Sequence, residues 1–144
     1  MKRSFKYLIL ALIIVFISGI ANADQNVIKT WRIFNAETIT AGATSTNVYP
    51  GGVVGLDLTS FKPDGYFALQ ITITGTGTGT FQAQMSNDGT NFAIPNGVDD
   101  IVAAMAAGTA IYQFSVPVGK YLRILCTEAG GLNSIVVTAY LTVQ

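Results

Sequence analysis

The strongest constraint on this chain is a period-two alternation of apolar and polar residues. It is clearest in the segment YFALQITIT, residues 66–74, where four large apolar residues share one parity: Phe67, Leu69, Ile71 and Ile73. The opposite parity carries Gln70, Thr72 and Thr74. Because side chains of a strand point alternately to its two faces, the segment predicts a β-strand with one buried face and one solvated face.

The same periodicity recurs along most of the chain, in segments separated by clusters of Gly, Pro, Asn and Asp. The further segments are residues 27–34, 37–41, 53–59, 81–85, 110–116, 120–127 and 134–143. Together they predict about eight strands. For a chain of 144 residues, 50% of them apolar, we expect an all-β fold, an antiparallel β-sandwich that is jelly-roll-like or Ig-like.

Between two of these strands, Thr and Gly alternate from Thr74 to Thr80. We interpret this stretch as the flexible tip of a hairpin that pairs residues 66–74 with residues 81–85. A phosphate-binding loop is excluded, because such a loop needs a helix start behind it and usually a lysine. Here a strand follows, with no cation nearby.

The segment SNDGTNF supplies the next turn. Asn87, Asp88 and Gly89 tolerate the positive φ angles of tight turns, and Asp-Gly between two strand-like runs is a strong hairpin signal. We therefore predict a structural turn at these three residues, after which Phe92 returns to the core.

One segment, DDIVAAMAAG at residues 99–108, has helical character. Asp99 is a suitable cap for a short helix that runs through Met105 and stops at Gly108. Because the segment is short, we expect no more than a crossover turn between the sheets.

The N-terminus has the composition of a secretory signal peptide. A basic start with Lys2, Arg3 and Lys6 precedes an uninterrupted apolar run of 14 residues, and small residues end at Ala23. A helix that crosses the hydrocarbon core needs about 20 apolar residues. We therefore favour a cleaved signal over a retained membrane anchor.

Cleavage would divide the chain into a signal peptide at 1–23, an N-terminal arm or strand at 24–37, and a β-sandwich domain at 38–144. The exported part carries five basic residues and eight acidic ones, a net charge of −3. Nucleic acid is excluded as a partner, because neutralising phosphates requires clustered Lys and Arg. We expect a periplasmic or extracellular protein that does not contact the membrane after signal cleavage.

The chain lacks the residues of common catalytic sites. It has no histidine and one cysteine, which excludes Ser-His-Asp and Cys-His units and a thiolate zinc site within one chain. Cys126 shares the parity of Leu122 and Ile124, so we predict a buried, unreactive thiol. The two glutamates, Glu37 and Glu128, lie where strands meet turns, and we interpret them as solvated surface residues rather than a glycosidase pair.

Oxygen ligands suited to calcium are crowded into the SNDGTNF segment and the start of the next one. They are Asn87, Asp88, Asn91, Asp99 and Asp100. Their spacing does not match a calcium-binding loop, so turn chemistry is the favoured interpretation and calcium the alternative. We predict no metal, no cofactor and no enzymatic activity.

Three segments resemble a known group of proteins: DGYFALQITITGTGTGTFQAQMSNDGTNF at 64–92, YQFSVPVGKYLRILCTEAGG at 112–131 and VTAYLTVQ at 137–144. A strand ending in an SNDGTNF-type turn, then a KYxRI strand and a C-terminal strand, is similar to small β-sandwich proteins of phage and prophage structural gene clusters. The likeness covers residues 38–144. It implies a structural or decorating role on a virion, tail or comparable particle. The signal peptide departs from that pattern and suggests a related domain used outside the cell.

Two functional hypotheses remain. The first is a secreted structural subunit that self-associates into a filament, surface layer or particle decoration. Its assembly arm would pair with a sheet edge of a neighbouring copy, or alternatively within its own chain. The candidate residues of this arm are Val27, Ile28, Trp31, Ile33 and Phe34. The second is a secreted module that binds carbohydrate or a cell surface through stacking on Trp31 and Tyr140. Tyr49, Tyr112 and Tyr121 are further aromatic candidates for that role.

Overall fold

The computed structural model describes residues 28–46, 54–59, 66–116, 119–129, 131 and 133–143. The predicted signal peptide and Val27 of the predicted arm lie outside these residues. Every regular element in the described ranges is a β-strand, so the all-β prediction is confirmed. None of the described residues belongs to a helix long and apolar enough to cross a membrane.

In the described residues, nine strands form two sheets. They are β1 (Lys29–Ile39), β2 (Thr44–Thr46), β3 (Leu56–Asp57), β4 (Phe67–Gly75), β5 (Gly79–Ser86), β6 (Val102–Met105), β7 (Gly108–Phe114), β8 (Tyr121–Glu128) and β9 (Ile135–Val143). Sheet A has the strand order β1-β9-β4-β7, and sheet B the order β2-β8-β5-β6, with β3 also paired to β8. All of these pairs are antiparallel.

The strand pairs are nested along the chain. β1 pairs with β9, β2 and β3 pair with β8, β4 pairs with β7, and β5 pairs with β6. Such nesting describes one long ribbon folded back on itself. Two further pairs, β4 with β9 and β5 with β8, roll this ribbon into two facing sheets. The sandwich is therefore of the jelly-roll rather than the Ig-like kind.

The core lies between the sheets and comes from one parity of each central strand. Its fully buried members include Leu69, Ile71, Leu122, Ile124, Val137 and Leu141. Phe34 of β1 meets Phe81 of β5 across the gap between the sheets, with ring centroids 6.4 Å apart in a T-shaped contact. Cys126 is buried in the same core, so the predicted burial of the thiol is confirmed.

The predicted hairpin between residues 66–74 and residues 81–85 is wrong. β4 pairs with β7 and β9 in sheet A, whereas β5 pairs with β6 and β8 in sheet B. The Thr-Gly stretch therefore crosses from one sheet to the other. At this crossing Gly75 has a φ of 109°, and a Cβ on it would lie 2.6 Å from the carbonyl oxygen of Ser134. The glycines serve close packing of the backbone rather than a flexible tip.

The short helix or crossover turn expected from Asp99 through Met105 is also wrong, because residues 102–105 form β6 at the edge of sheet B. β6 pairs with β5 across a bulge, in which three steps along β6 oppose two along β5. The bulge turns Val102 and Met105 to the same buried side. Two buried residues at a spacing of three positions have the sequence pattern of one helical turn. Gly108 does not stop a helix but begins β7.

Two segments predicted as separate strands at the start of the domain form one strand, β1. The pairing of this strand with β9 is interrupted by two register shifts, one between Arg32 and Phe34 and one between Phe34 and Glu37. Ala36 lies in the second shift with a φ of 50°. β1 runs through positions 37 and 38 and pairs with β9 of its own chain. The described part of the predicted arm is therefore an edge strand of sheet A.

Candidate functional site

The outer face of sheet A carries a row of exposed side chains that crosses all four strands. Tyr140 of β9 is paired with Arg32 of β1 on one side and with Gln70 of β4 on the other. Gln70 is paired in turn with Ile111 of β7. Ile111 is 66% exposed and Tyr140 36% exposed. With neighbouring strands about 4.8 Å apart, this Tyr140 row is about 14 Å wide.

Hydroxyl groups flank the row on both sides. The hydroxyl oxygens of Thr30 and Thr142 are 2.9 Å apart, and those of Thr72 and Thr109 are 3.0 Å apart. We call the row and these threonines the Tyr140 face: Arg32, Gln70, Ile111, Tyr140, Thr30, Thr142, Thr72 and Thr109. Arg32 supplies the one charge among these side chains, so the face is polar but nearly neutral.

Tyr66 extends the face at the start of β4. It is 69% exposed and, together with Ile28, borders a cavity of about 210 Å³. The remaining lining residues of that cavity are Phe67, Ala68, Gln113 and Thr142. Tyr66 is not among the predicted site residues, although its parity matches that of Gln70 on the solvated face of the clearest strand. The alternation of the two strand faces is therefore enough to predict that Tyr66 is exposed.

Arg32, Gln70 and Ile111 are also absent from the predicted site. Periodicity assigns each of them to one face of its own strand. Their proximity depends on the order β1-β9-β4-β7, which joins strands far apart in the sequence. No local pattern in the sequence carries that order.

The two predicted stacking residues lie on different sides of sheet A. Tyr140 is on the outer face, whereas Trp31 is half-buried and packs against the core. Tyr112 packs against the core as well. Tyr49 lies outside the described residues. Tyr140 therefore shares a sheet face with Tyr66, at a separation of about 13 Å along the strands, and not with Trp31.

Most of the predicted assembly arm is used within its own chain. Ile33 and Phe34 are 3% and 1% exposed, and Trp31 packs against the same core. Ile28 is exposed beside Tyr66, and Val27 lies outside the described residues. The buried side chains of β1 are thus not available to a neighbouring copy.

The turn at residues 87–89 is held by one carboxylate. Oδ1 of Asp88 accepts hydrogen bonds of 2.8 Å from the backbone N–H groups of Asn91 and Thr90. These bonds, together with those from the side chains of Asn91 and Ser86, stabilise the charged form and hold the pKa of Asp88 below its ordinary value of 3.8. Both carboxylate oxygens are thereby engaged inside the turn.

The loop after this turn covers part of the outer face of sheet B. The guanidinium carbon of Arg123 lies 4.3 Å from the ring centroid of Phe92, and Nε of Arg123 donates a hydrogen bond of 2.7 Å to Oε1 of Gln84. Gly89 packs against the ring of Tyr121 on the same face. The prediction that Phe92 returns to the core is wrong, because its ring stacks on an arginine outside the core.

The interpretation of Glu128 as a solvated surface residue is wrong, since it is 2% exposed. Its Oε2 accepts hydrogen bonds from the backbone N–H groups of Gly42, at 3.0 Å, and Gly131, at 2.9 Å. Glu37 is half-buried and accepts a hydrogen bond from the hydroxyl of Ser45. Both glutamates therefore serve as internal acceptors.

A cavity of about 470 Å³ lies between the end of β7 and the loop that precedes β6. Asp99 and Asp100 line it, and Asp100 accepts a hydrogen bond from the side chain of Gln82. The lining on β7 and just beyond it, residues 113–116, contains no acid, so this cavity lacks the two facing carboxylates of a glycosidase. Among the described residues, no group of three or more His, Cys, Asp or Glu is placed to hold a metal ion.

Solved β-sandwich structures are similar to this chain in outline. The CBM22-1 xylan-binding domain of Xyn10C from Paenibacillus barcinonensis matches with a TM-score of 0.45 and 11% identity, over 80% of this chain and 92% of that one. A mutant of CBM29-2, from family 29 of the carbohydrate-binding modules, matches with a TM-score of 0.40 and 11% identity, over 81% of this chain and 92% of that one. Neither a protein-family model nor a curated protein matches the sequence. At this identity the likeness concerns the fold alone.

Proposed function

We propose that the protein is a non-catalytic module that binds glycan chains on the Tyr140 face. The observation that carries this proposal is the Tyr140 row itself. An exposed aromatic ring lies between a guanidinium and an amide, and the row continues across four strands. An aromatic ring beside hydrogen-bonding side chains on an open sheet face supports contact with another molecule.

The chemistry of the face suits sugars. A pyranose ring presents C–H groups on one face, which pack against the apolar body of a tyrosine, while the tyrosine hydroxyl stays in water. Hydroxyls around the sugar ring pair with amide and hydroxyl side chains such as Gln70 and Thr72, which both donate and accept hydrogen bonds. Because Arg32 is the one charge on the face, the ligand we propose is built mainly of neutral sugars.

The outer face of sheet B is a weaker candidate. Its central arginine, Arg123, is stacked under Phe92 and bonded to Gln84. Gln82 is bonded to Asp100. These polar groups already have partners within the chain, so a ligand would gain little by replacing them. On sheet A, Tyr66 and Tyr140 project from a face that no described loop covers with such contacts.

Export would bring this face to glycans outside the cytoplasm, and the N-terminal composition is the support for export. The particle-associated role implied by the phage-like segments stays a prediction. The two roles are compatible, because a protein that decorates a particle or a cell exterior needs a surface for its target. The chain's few charges and lack of histidine favour binding over catalysis.

Binding is tested on an array of neutral and acidic glycans, followed by calorimetry with the soluble form of any hit. We expect Tyr140→Ala to weaken binding about tenfold or more, because the stacking surface is lost. Tyr66→Ala is expected to weaken it less, since Tyr66 lies at the end of the face. Ile94→Ala is the matched control: Ile94 is 43% exposed in the loop after β5 and lies off the face.

Tyr66 and Ile94 are the more exposed of the three side chains, so the thermal unfolding of their variants should match that of the wild type, whereas Tyr140→Ala should stay folded with a somewhat lower midpoint. An empty array with folded wild-type protein would contradict the proposal. So would a Tyr140→Ala variant that binds as tightly as Ile94→Ala.

A further inference from the structure

Sheet A ends in two edge strands of different character. β1 carries Lys29, Arg32 and Glu37, and its ladder to β9 is broken by two register shifts between Arg32 and Glu37. Charges and bulges are the devices by which natural sheets prevent an edge from pairing with another chain. The β1 edge is therefore protected against strand addition.

The opposite edge, β7, has none of these devices. Its sequence GTAIYQF contains no charged residue and no proline. It pairs with β4 over seven consecutive positions, from Gly108 opposite Ile73 to Phe114 opposite Phe67, without a shift. Among the strands that the structure describes, none pairs with its other side. A regular, uncharged and unpaired edge is a template for another strand.

The exposed side chain at the middle of this edge is apolar. Ile111 is 66% exposed, more than the other large apolar residues of β7, and it lies three residues from each end of the strand. Covering an isoleucine in this position with a partner strand is favourable, because apolar surface is removed from water. The side chain of the partner strand that covers Ile111 has to be apolar and has to lie directly opposite Ile111.

A second copy of β7 provides that group. We propose that two copies of this protein pair through β7 in antiparallel orientation, with the two-fold axis at Ile111. Ile111 then faces Ile111 of the second copy, and Thr109 faces Gln113. Ala110 faces Tyr112 on the other side of the sheet. Every pair is uncharged, and the strand is complementary to itself, as a two-fold interface requires.

The charges nearest to this edge also favour the antiparallel orientation. Asp99 and Asp100 line the cavity beside Gln113 and Phe114, at one end of β7. The two-fold axis sends the acids of the two copies to opposite ends of the paired strands, about 20 Å apart. Charges at that distance are screened at physiological ionic strength, where the Debye length is about 8 Å. Parallel pairing would instead place the four carboxylates together.

The resulting dimer has one continuous sheet of eight strands. A two-fold axis at the centre of an antiparallel pair is perpendicular to the sheet, so the outer faces of both copies point the same way. Two Tyr140 rows then lie end to end, joined through the two isoleucines. The dimer does not depend on glycan binding, but it would present two binding faces side by side and raise avidity for a long chain.

The pairing is tested first by the mass of the purified protein in sedimentation over a range of concentrations. Because one strand pair buries less surface than a standard interface, we expect a reversible dimer that forms at high concentration. Ile111→Lys should remain monomeric, because it places two like charges directly opposite each other. Thr38→Lys, on the exposed face of the protected edge β1, is the control and should dimerise as the wild type does.

The register is tested by cysteine cross-linking. Residues directly opposite in a strand pair have Cβ atoms about 5 Å apart, close enough for a disulfide after small adjustments. Ile111→Cys should therefore give a covalent dimer on mild oxidation. Gln113→Cys, on the same strand and face, should not, because the two copies of residue 113 lie about 14 Å apart. The native Cys126 is buried and does not compete.

A wild-type protein that stays monomeric at every concentration would overturn the proposal. Dimers that Ile111→Lys leaves intact would also overturn it, as would equal cross-linking of Ile111→Cys and Gln113→Cys. Thermal unfolding of each variant separates loss of pairing from loss of fold. Both substitutions at Ile111 alter an exposed side chain, so each variant should fold as the wild type does, whether or not it pairs.

Discussion

The backbone N–H of Gly42 donates a hydrogen bond of 3.0 Å to Oε2 of Glu128, which ties the turn after β1 to the end of β8. The same oxygen accepts a bond of 2.9 Å from the N–H of Gly131 in the loop before β9. Gly77, in the crossing between the sheets, lies so close that a Cβ on it would be 2.6 Å from Oε1. The carboxylate of this buried side chain therefore bonds to two connections at one end of the sandwich and lies close against a third.

Removing this carboxylate should destabilise the fold. We expect Glu128→Ala to lower the free energy of unfolding by about 2–4 kcal/mol, because the part-buried backbone N–H groups of Gly42 and Gly131 lose their acceptor, at about 0.5–1.5 kcal/mol each, and the buried side chain leaves a cavity. Glu128→Gln keeps one acceptor oxygen and should cost about half as much. Urea unfolding followed by fluorescence measures both.

Asp99→Asn is the control for the loss of one acidic charge, because Asp99 is exposed. Its unfolding midpoint should stay within the error of the wild type. A Glu128→Ala variant as stable as Asp99→Asn would show that the three connections do not depend on this carboxylate.

The crossing between the sheets provides a second prediction. Gly75 combines a φ of 109° with a carbonyl oxygen 2.6 Å from the position of an added Cβ. Gly97 has a φ of 77°, but nothing lies within 4 Å of its added Cβ. We expect Gly97→Ala to cost about 1 kcal/mol from backbone strain alone, and Gly75→Ala about 3 kcal/mol or more. Equal unfolding midpoints would mean that the contact with Ser134 relaxes without cost.

The strands that the sequence predicts well are those with strict alternation. In β4, β8 and β9 each second side chain is buried, and the two faces of each strand follow from parity alone. The buried position of Cys126 and the exposed position of Tyr140 are consequences of the same rule. Parity is therefore enough to assign both of these side chains to the correct face of their strands.

The errors arise where the backbone breaks that alternation. In β6 a bulge brings Val102 and Met105 to one side, so that an alanine-rich strand has the sequence pattern of a helix. In β1 two register shifts place Ile33 and Phe34 together in the core. The position of a bulge depends on contacts with the neighbouring strand, so the local sequence does not reveal it.

The local sequence also does not reveal which strands pair with each other. The Thr-Gly stretch has the composition of a hairpin tip, yet it links two sheets. Closure of the core decides between these outcomes, because β4 and β5 each bury an apolar face and those faces pack against each other. The Tyr140 row depends on the same information, since it requires Arg32 and Ile111 to lie on opposite sides of β9 and β4.

The thiol of Cys126 should be inert in the folded protein. Burial, and secondarily the nearby carboxylate of Glu37, raise the pKa of Cys126 from 9.0 to about 12. The neutral thiol that the fold favours contributes stability in full below pH 9 and loses it as the pH rises toward 12. At pH 8, iodoacetamide should label Cys126 only at the rate of unfolding. An engineered Thr38→Cys should be labelled at once, and native labelling of Cys126 at a similar rate would contradict its burial.

The carboxylate of Asp88 should give the fold a defined dependence on acid. Its pKa is depressed by hydrogen bonds from the backbone of Asn91 and Thr90, so it contributes stability above pH 3.8, the ordinary value, and loses it as the pH falls further. We expect Asp88→Asn to be less stable than the wild type at pH 7, and the difference to shrink below pH 3.8. Denaturant unfolding of both proteins at several pH values measures this. A difference that stays constant down to pH 2 would mean that the charge of Asp88 does not stabilise the turn.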